Sequence, residues 1–382
     1  MGIESILQRC QKLYDDLALT GVRAWKAAQP GRKAVGFMPI YVPREIVHAA
    51  GILPVGLMGG DMEIIRGDAY YQSYICHIPR STIELAVSGR LDCLDGMIFP
   101  SVCDVIRNLS GMWQLMFPDK YARYLDLPQN YAPGIGGAFY QEELRTLLND
   151  MQRISGVAAT NARLLDSIRL YNENRALVQG LYDLRADQPW SVPTSELYLL
   201  LRAGNVLPVE EHSALLREYR ATVEAMDRPQ LDNSRIVLTG AFCEQPPLGL
   251  LEVIEGAGCI VKDDDMVIGW RLFPEDVRAN GDPLAALADA YLAGKVYTSV
   301  RHDRDRPRTE GLMQRIKQAG AEAVLFTPAK FCEPALLDYV LFRRRLEEAG
   351  TPHLKVEFEE KMWTFETTRT EVETFAESML FD

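Results

Sequence analysis

The chain has 382 residues, 47 % of them hydrophobic and 25 % charged, with a formal net charge of −12. At roughly 100–200 residues per domain this length implies two or three domains, large enough to bury their cores without disulfide staples. The acidic balance excludes a nucleic-acid binder, which needs a concentrated basic surface, and no uncharged apolar run reaches the roughly 18 residues that cross a bilayer.

The opening segment, MGIESILQRCQKLYDDL, carries charge throughout and lacks a signal-peptide core. Ile6 breaks the myristoylation pattern that Gly2 would start. The expectation is a cytoplasmic protein with no membrane and no nucleic-acid partner. Its seven cysteines, an odd number spread over a long chain, form a poor disulfide framework. They read as reduced thiols used for packing, catalysis or metal binding.

In chain order, Ile3, Ile6, Leu7, Cys10 and Leu13 make one stripe of an amphipathic helix. AVGFMPI (34–40) reads as a buried strand. Pro43 and REIVHAAG start and fill a helix with Gly51 at its C-cap, and ILPVGLMG is the next strand. A helix is expected over 79–88, after Pro79. LDGMIFPSVCDVIRNLSGMWQL reads as strand, loop and helix, and YARYLDLP (121–128) as a strand. From about 138 to 228 the pattern is helical, punctuated by Pro189, Pro193 and Pro208. A second unit starts at RIVLTGAFC (235–243) and continues through LGLLEVIEGAG as a helix, then CIVKDD and AEAVLFTP (321–328) as strands. PALLDYVLFRRRLEEAG follows as a helix and HLKVEF as a strand. The charged segment 265–308 surrounds a short helix at 283–293.

Alternating strands and helices indicate parallel sheets covered on both faces. The chain therefore divides into an N-terminal α/β domain (1–150), a helical connector (151–230) and a C-terminal α/β domain (231–382). The two α/β units echo each other. GMIFPSVCDVIRNL resembles AVLFTPAKFCEPALLDYV: an apolar strand, a Pro-containing loop, a cysteine, an acidic residue and a helix. An internal duplication would produce this, and so would the shared periodicity of any two α/β units.

Cys103 and Cys332 stand just past the carboxyl ends of predicted strands and just before helices. Open α/β sheets bind ligands outside those ends, and a helix N-terminus favours a thiolate. Cys76, in the aromatic loop YYQSYICHIPR before another helix, offers a third thiol of the same kind. Iron–sulfur clusters are held by deprotonated cysteines, but 76, 103, 332 is not a ferredoxin spacing, and position alone leaves each residue open to being a small buried hydrophobe. Cys10, Cys93 and Cys259 read as core packing, while Cys243 in GAFCEQP is open to either role.

Other patterns are negative or open. APGIGGAFY lacks the last glycine of a dinucleotide fingerprint and marks a loop. Neither a P-loop nor a G-x-S-x-G elbow is present. The five histidines (His48, His77, His212, His302, His353) have no metal-ligand spacing. His77 reads as a solvated loop residue or a proton donor. Arg80 and Arg107 could neutralise a bound anion or serve the surface. RHDRDRPR (301–308) is a solvated charge run, and Tyr41 and Glu244 stand at strand-end loops.

VGFMPIYVPREIVHAAGILPVGL, YYQSYICHIPRSTIELA, LDGMIFPSVCDVIRNLSGMW and LFTPAKFCEP resemble the 2-hydroxyacyl-CoA dehydratase superfamily. The resemblance covers nearly the whole chain. It is greatest to the branch of smaller cluster-carrying subunits, of the C or gamma type, found in ATP-dependent benzoyl-CoA reductases. It implies an α/β fold of two flavodoxin-like, doubly wound units joined by a helical connector, with one 4Fe-4S cluster in the cleft between them. It also implies Cys76, Cys103 and Cys332 as the cluster-binding and metal ligands, with the fourth iron position not held by a cysteine of the same chain. The implied partners are a homologous larger cluster-carrying subunit, two ATP-hydrolysing activator-type subunits, ferredoxin as electron donor, and benzoyl-CoA. The implied reaction is two-electron dearomatisation to a cyclohexadiene-carboxyl-CoA. A subunit of a 2-hydroxyacyl-CoA dehydratase, a double-cubane reductase and a two-domain small-molecule binder are the competing readings.

Overall fold

The computed structural model describes residues 2–38, 40–60, 62–267, 276–293, 307–359, 362 and 364–379. Short apolar runs form the strands. In the first half, β1 (Lys33–Phe37), β2 (Ile52–Gly56), β3 (Gly96–Pro100) and β4 (Tyr121–Leu125) pair in parallel in the order β2-β1-β3-β4. In the second half, β5 (Ser234–Thr239), β6 (Cys259–Asp264), β7 (Ala323–Phe326) and β8 (His353–Lys355) repeat that arrangement as β6-β5-β7-β8, again all parallel. Two sheets with one strand order and one polarity match the two flavodoxin-like units read from the sequence. The order reverses between β1 and β3 and between β5 and β7, the switch points at which such sheets bind ligands.

Helices α1 (Ile3–Asp15) and α2 (Thr20–Ala27) precede the first sheet, and α3 (Arg44–Ala49), α4 (His77–Val87) and α5 (Asp104–Met116) connect its strands. The middle of the chain is α6 (Ala138–Ser155), α7 (Asn161–Asp187), α8 (Thr194–Ala203) and α9 (Val209–Glu224), helical as expected and without a strand. Helices α10 (Leu248–Gly256), α11 (Pro283–Ala293), α12 (Arg308–Ala319) and α13 (Glu333–Ala349) connect the second sheet, and α14 (Glu366–Ser378) follows it. The glycine-rich APGIGGAFY forms a single π-helical turn, Pro133–Gly137, leading into α6. His302 and all but Pro307 and Arg308 of the 301–308 charge run lie outside the described residues.

Both faces of each parallel sheet must be covered. Val35, Ile98, Ile236 and Leu325 share one continuous core that runs from one sheet to the other. On the opposite face of the second sheet, Val237, Val324 and Phe326 pack under Leu312 and Ile316 of α12 and Leu346 of α13. Packing in the first sheet is close: a Cβ on Gly36 would fall 2.3 Å from the Met97 sulfur.

The long helix α7 contacts α3 on one side and β6 on the other. Two buried ion pairs fix it. Arg175 meets Glu45 of α3 at 2.6 Å, and Arg185 meets Asp264 at the end of β6, also at 2.6 Å. Ten residues of helix separate the two arginines by about 15 Å. Among the described residues no helix is long and apolar enough to cross a membrane.

Candidate metal centre

Each of the three cysteines singled out above is the N-cap residue of a helix: Cys76 of α4, Cys103 of α5 and Cys332 of α13. Two of these helices follow the third strand of their sheet, so β3 and β7 deliver Cys103 and Cys332 to equivalent places in the repeat. The loop after β7 is pinned by pairing beyond β8. Ala329 bridges Phe358, and the Lys330 amide donates to the Phe358 carbonyl at 2.8 Å. Phe331, the residue before Cys332, has a left-handed φ of +63°. Tyr41, in the loop after β1, has a φ of +64°. Left-handed backbone at bulky residues is strained and is held only where the surroundings force it.

The three thiols share one environment. Burial pushes Cys76 well above the usual thiol range, and the charges of Cys332, Glu244 and Cys103 push it further. Burial pushes Cys332 up to about 12, with Glu244 and Cys103 adding and the Ala335 amide of the first turn of α13 pulling back. Burial raises Cys103, against the Ile106 and Val105 amides at the start of α5. Residues 256 positions apart in sequence therefore feel each other's charge, and helix amides face the sulfurs as a helix N-terminus predicts.

Glu244 supplies the bond that joins the two halves at this point. It lies in the loop after β5, is 6 % exposed, and its Oε2 accepts the His77 amide at 2.8 Å. This explains why α4 starts at His77 rather than at Pro79: the acceptor for its first amide comes from 167 residues away. His77 is buried, with Nε2 2.8 Å from the Gly60 carbonyl oxygen, so the solvated-loop reading is corrected. Cys243, next to Glu244, is 5 % exposed, and burial followed by the charges of Cys103, Cys332 and Cys76 drives its thiol far up.

Tyr71, which the sequence did not single out, belongs here too. Burial and the neighbouring Cys103 and Cys76 raise its phenol, whose hydroxyl donates to the Val105 carbonyl at 3.4 Å. Its place in YYQSYIC, five residues before Cys76, was the available signal. Of the other candidates, Tyr41 is buried edge-on against Tyr291, Arg80 pairs with Asp68 at 2.6 Å, and Arg107 is exposed. Cys10, Cys93 and Cys259 are buried in the core.

The donor set suits an iron–sulfur cluster. Sulfur-only ligation favours such clusters, three helix N-termini offer positive potential to an anionic group, and metal binding is what makes buried thiols ionise. Among the described residues no three His, Cys, Asp or Glu side chains are close enough together to hold a single metal ion. A cube of four irons spans a wider set of ligands.

The chain matches the family model described as 2-hydroxyglutaryl-CoA dehydratase, D-component, over residues 39–379. It is 47 % identical to the C subunit of benzoyl-CoA reductase from Thauera aromatica, over 99 % of each chain. It is 31 % identical to the beta subunit of lactoyl-CoA dehydratase from Anaerotignum propionicum, covering 92 % of this chain and 93 % of that one. Identity to the beta subunit of (R)-2-hydroxyglutaryl-CoA dehydratase from Acidaminococcus fermentans is 28 %, over 99 % and 100 %.

Proposed function

The chain belongs to the 2-hydroxyglutaryl-CoA dehydratase D-component family, and from that premise we propose that it is the cluster-carrying subunit of an ATP-dependent benzoyl-CoA reductase. The observation that carries this choice within the family is the 47 % identity along the whole chain to a benzoyl-CoA reductase component, against 31 % and 28 % to dehydratase subunits. The proposed reaction is two-electron dearomatisation of benzoyl-CoA to a cyclohexadiene-carboxyl-CoA in anaerobic aromatic degradation.

In this reading Cys76, Cys103 and Cys332 hold one 4Fe-4S cluster in the cleft between the two units. When bound, such a cluster supplies electrons at low potential, down to about −700 mV. The chain's own residues set the conditions. The three helix N-termini favour the thiolates. Glu244, bonded to the His77 amide, fixes the second unit against the loop of Cys76 and keeps the ligands in register. The buried walls around Cys332 and Cys243 exclude water, which strengthens every charge interaction inside. The oxidoreductase would work with a homologous larger cluster-carrying subunit, two ATP-hydrolysing activator-type subunits and reduced ferredoxin, in a cytoplasm that keeps thiols free.

Anaerobic co-expression with candidate partner subunits tests the proposal through iron and sulfide analysis and turnover. The expected result is brown protein that consumes two electrons per benzoyl-CoA reduced. Loss of water from a 2-hydroxyacyl-CoA with electron recycling would instead make it a dehydratase subunit. Twice the expected iron per chain would point to a double-cubane reductase. Colourless, iron-free protein would leave only a small-molecule binder.

A further inference from the structure

We propose that residues 64–75 form a flap beside the three thiols, that its lifting opens the way to the cluster site, and that Glu84 holds it down. The proposal rests on the three-cysteine reading above and adds to it the part of the wall that moves.

Something has to move, because the site is walled in. Cys332 is buried, and Cys76 and Cys103 are only partly open, whereas a metal site needs an entry path. Two of the three ligand loops are short and tied to their sheets. Before Cys103, the Ser101 amide donates to the Leu125 carbonyl at 2.9 Å, and the Ser101 hydroxyl accepts the Leu127 amide at 2.7 Å. Before Cys332, the pairing with Phe358 plays the same part. The third connection differs. Residues 57–76 run from β2 to α4, and among the described residues their only helix is the 3₁₀ turn Gly67–Ala69. Between 64 and 75 only Ile64 and Gly67 are buried, while Ile65, Tyr70 and Tyr74 are exposed. Long connections with few buried contacts lie at the low-stability end of a fold, from which lids are drawn.

Nearly every bond that holds this segment goes to α4, and Glu84 supplies most of them. Its Oε2 accepts the amides of Ile65, Arg66 and Gly67 at 3.0, 2.6 and 2.7 Å. Arg66 also donates to the Val87 carbonyl at 3.1 Å, and Asp68 pairs with Arg80 at 2.6 Å. Gly67 permits the close seating: a Cβ there would fall 2.8 Å from the Arg80 carbonyl oxygen. At the other end Tyr71 reaches across to α5. Its hydroxyl donates to the carbonyl of Val105, two residues past Cys103, over a long 3.4 Å. The lip is therefore weakly held, and one buried carboxylate decides how readily the rest lifts.

The test uses the full chain, reconstituted anaerobically with iron and sulfide, beside Glu84→Ala, Glu84→Gln and Gly67→Ala. Hydrogen exchange reads the amides of 65–67. The rate at which bathophenanthroline, a bulky ferrous chelator, strips iron reads access to the cluster. In Glu84→Ala and Gly67→Ala those amides should exchange faster. Iron loss should speed by at least about tenfold, the effect of losing one hydrogen bond to a charged group. Glu84→Gln, which keeps an acceptor oxygen, should fall between. In the iron-free chain, iodoacetamide should label Cys103 faster in the variants and leave Cys10 and Cys259 at their original rates. Amides that exchange no faster in Glu84→Ala overturn the proposal. So do faster amides with unchanged iron loss and unchanged Cys103 labelling, or labelling that rises equally at Cys10 and Cys259. If no variant folds, hydrogen exchange of the unmodified chain in increasing urea decides. The amides of 65–67 should open well before those of β3 and β7, and opening only together with the sheets refutes the flap. An unmodified chain without iron sinks the cluster reading, while Cys103 labelling in the iron-free variants still judges the flap.

Discussion

Replacing Arg185 by Met removes one charge of a pair from which water is excluded. Arg185 is 0 % exposed and the Asp264 side chain 1 %. Burial pulls the guanidinium down, but Asp264 and Tyr182 more than offset that. The carboxylate also accepts the Tyr182 hydroxyl at 2.8 Å and the Met266 amide at 3.0 Å. In Arg185→Met the apolar stem is kept while Asp264 is left buried without its cation, which costs about 3–5 kcal/mol. Adding Asp264→Asn removes that charge and preserves an oxygen for Tyr182 and Met266. The double variant should therefore recover at least about 2 kcal/mol of the loss. Urea titration followed by circular dichroism at neutral pH, with m unchanged across the cycle, measures all three values. A single-variant loss under about 1 kcal/mol, or a double variant no more stable than Arg185→Met, would refute the reasoning.

Further expectations concern the cysteines, one buried acid and the bond that joins the halves. Cys76→Ala, Cys103→Ala and Cys332→Ala should each abolish cluster binding in iron and sulfide analysis. Cys10→Ala and Cys259→Ala should keep full iron and cost about 1–2 kcal/mol of packing. Burial raises Asp265 to about 6, tempered by Arg315 and Thr239 and reinforced by Asp264. Its folded value exceeds the unfolded one, about 3.9. Its contribution to stability is thus fully present below about pH 4 and is lost as pH rises through 6, about 3 kcal/mol in all. In Asp265→Asn the stability curve should lose that slope between pH 4 and 7, and an unchanged slope would refute the assignment. Glu244→Ala should cost about 1–3 kcal/mol and speed hydrogen exchange at the His77 amide, while Glu244→Gln, which still offers an acceptor, should restore protection.

Local patterns were legible and long-range ones were not. AVGF, GMIFP and AVLF announce buried parallel strands because both of their faces are covered, and the repeat of strand, loop, cysteine and helix anticipated two sheets of one topology. The same periodicity found α6 to α9, although α7 buries polar residues on its inner face. Asn174, for example, donates to the Ser213 hydroxyl at 2.8 Å. The start of α4 was misplaced because its first acceptor, Glu244, belongs to the other half of the chain. His77 looked like a loop residue for the same reason. Cys243, in a strand-end loop, was open to either role and Cys259, inside a strand, read as packing; what the sequence lacked was the fold that brings Glu244, the neighbour of Cys243, onto the His77 amide. The strained φ of Tyr41 and Phe331 has no signature in residue type.

The order of the three proposed ligands along the polypeptide carries a consequence for biosynthesis. More than two hundred residues separate Cys103 from Cys332. At roughly 5–20 residues per second a ribosome needs about 10–45 s to cover that stretch. Through that interval the nascent protein exposes two competent thiols with no inorganic core to hold. If these three cysteines hold the cluster as proposed, whatever delivers iron and sulfide meets a finished polypeptide with both sheets docked, and oxygen reaching the cell at this stage would act on those early sulfurs before the last one has been translated.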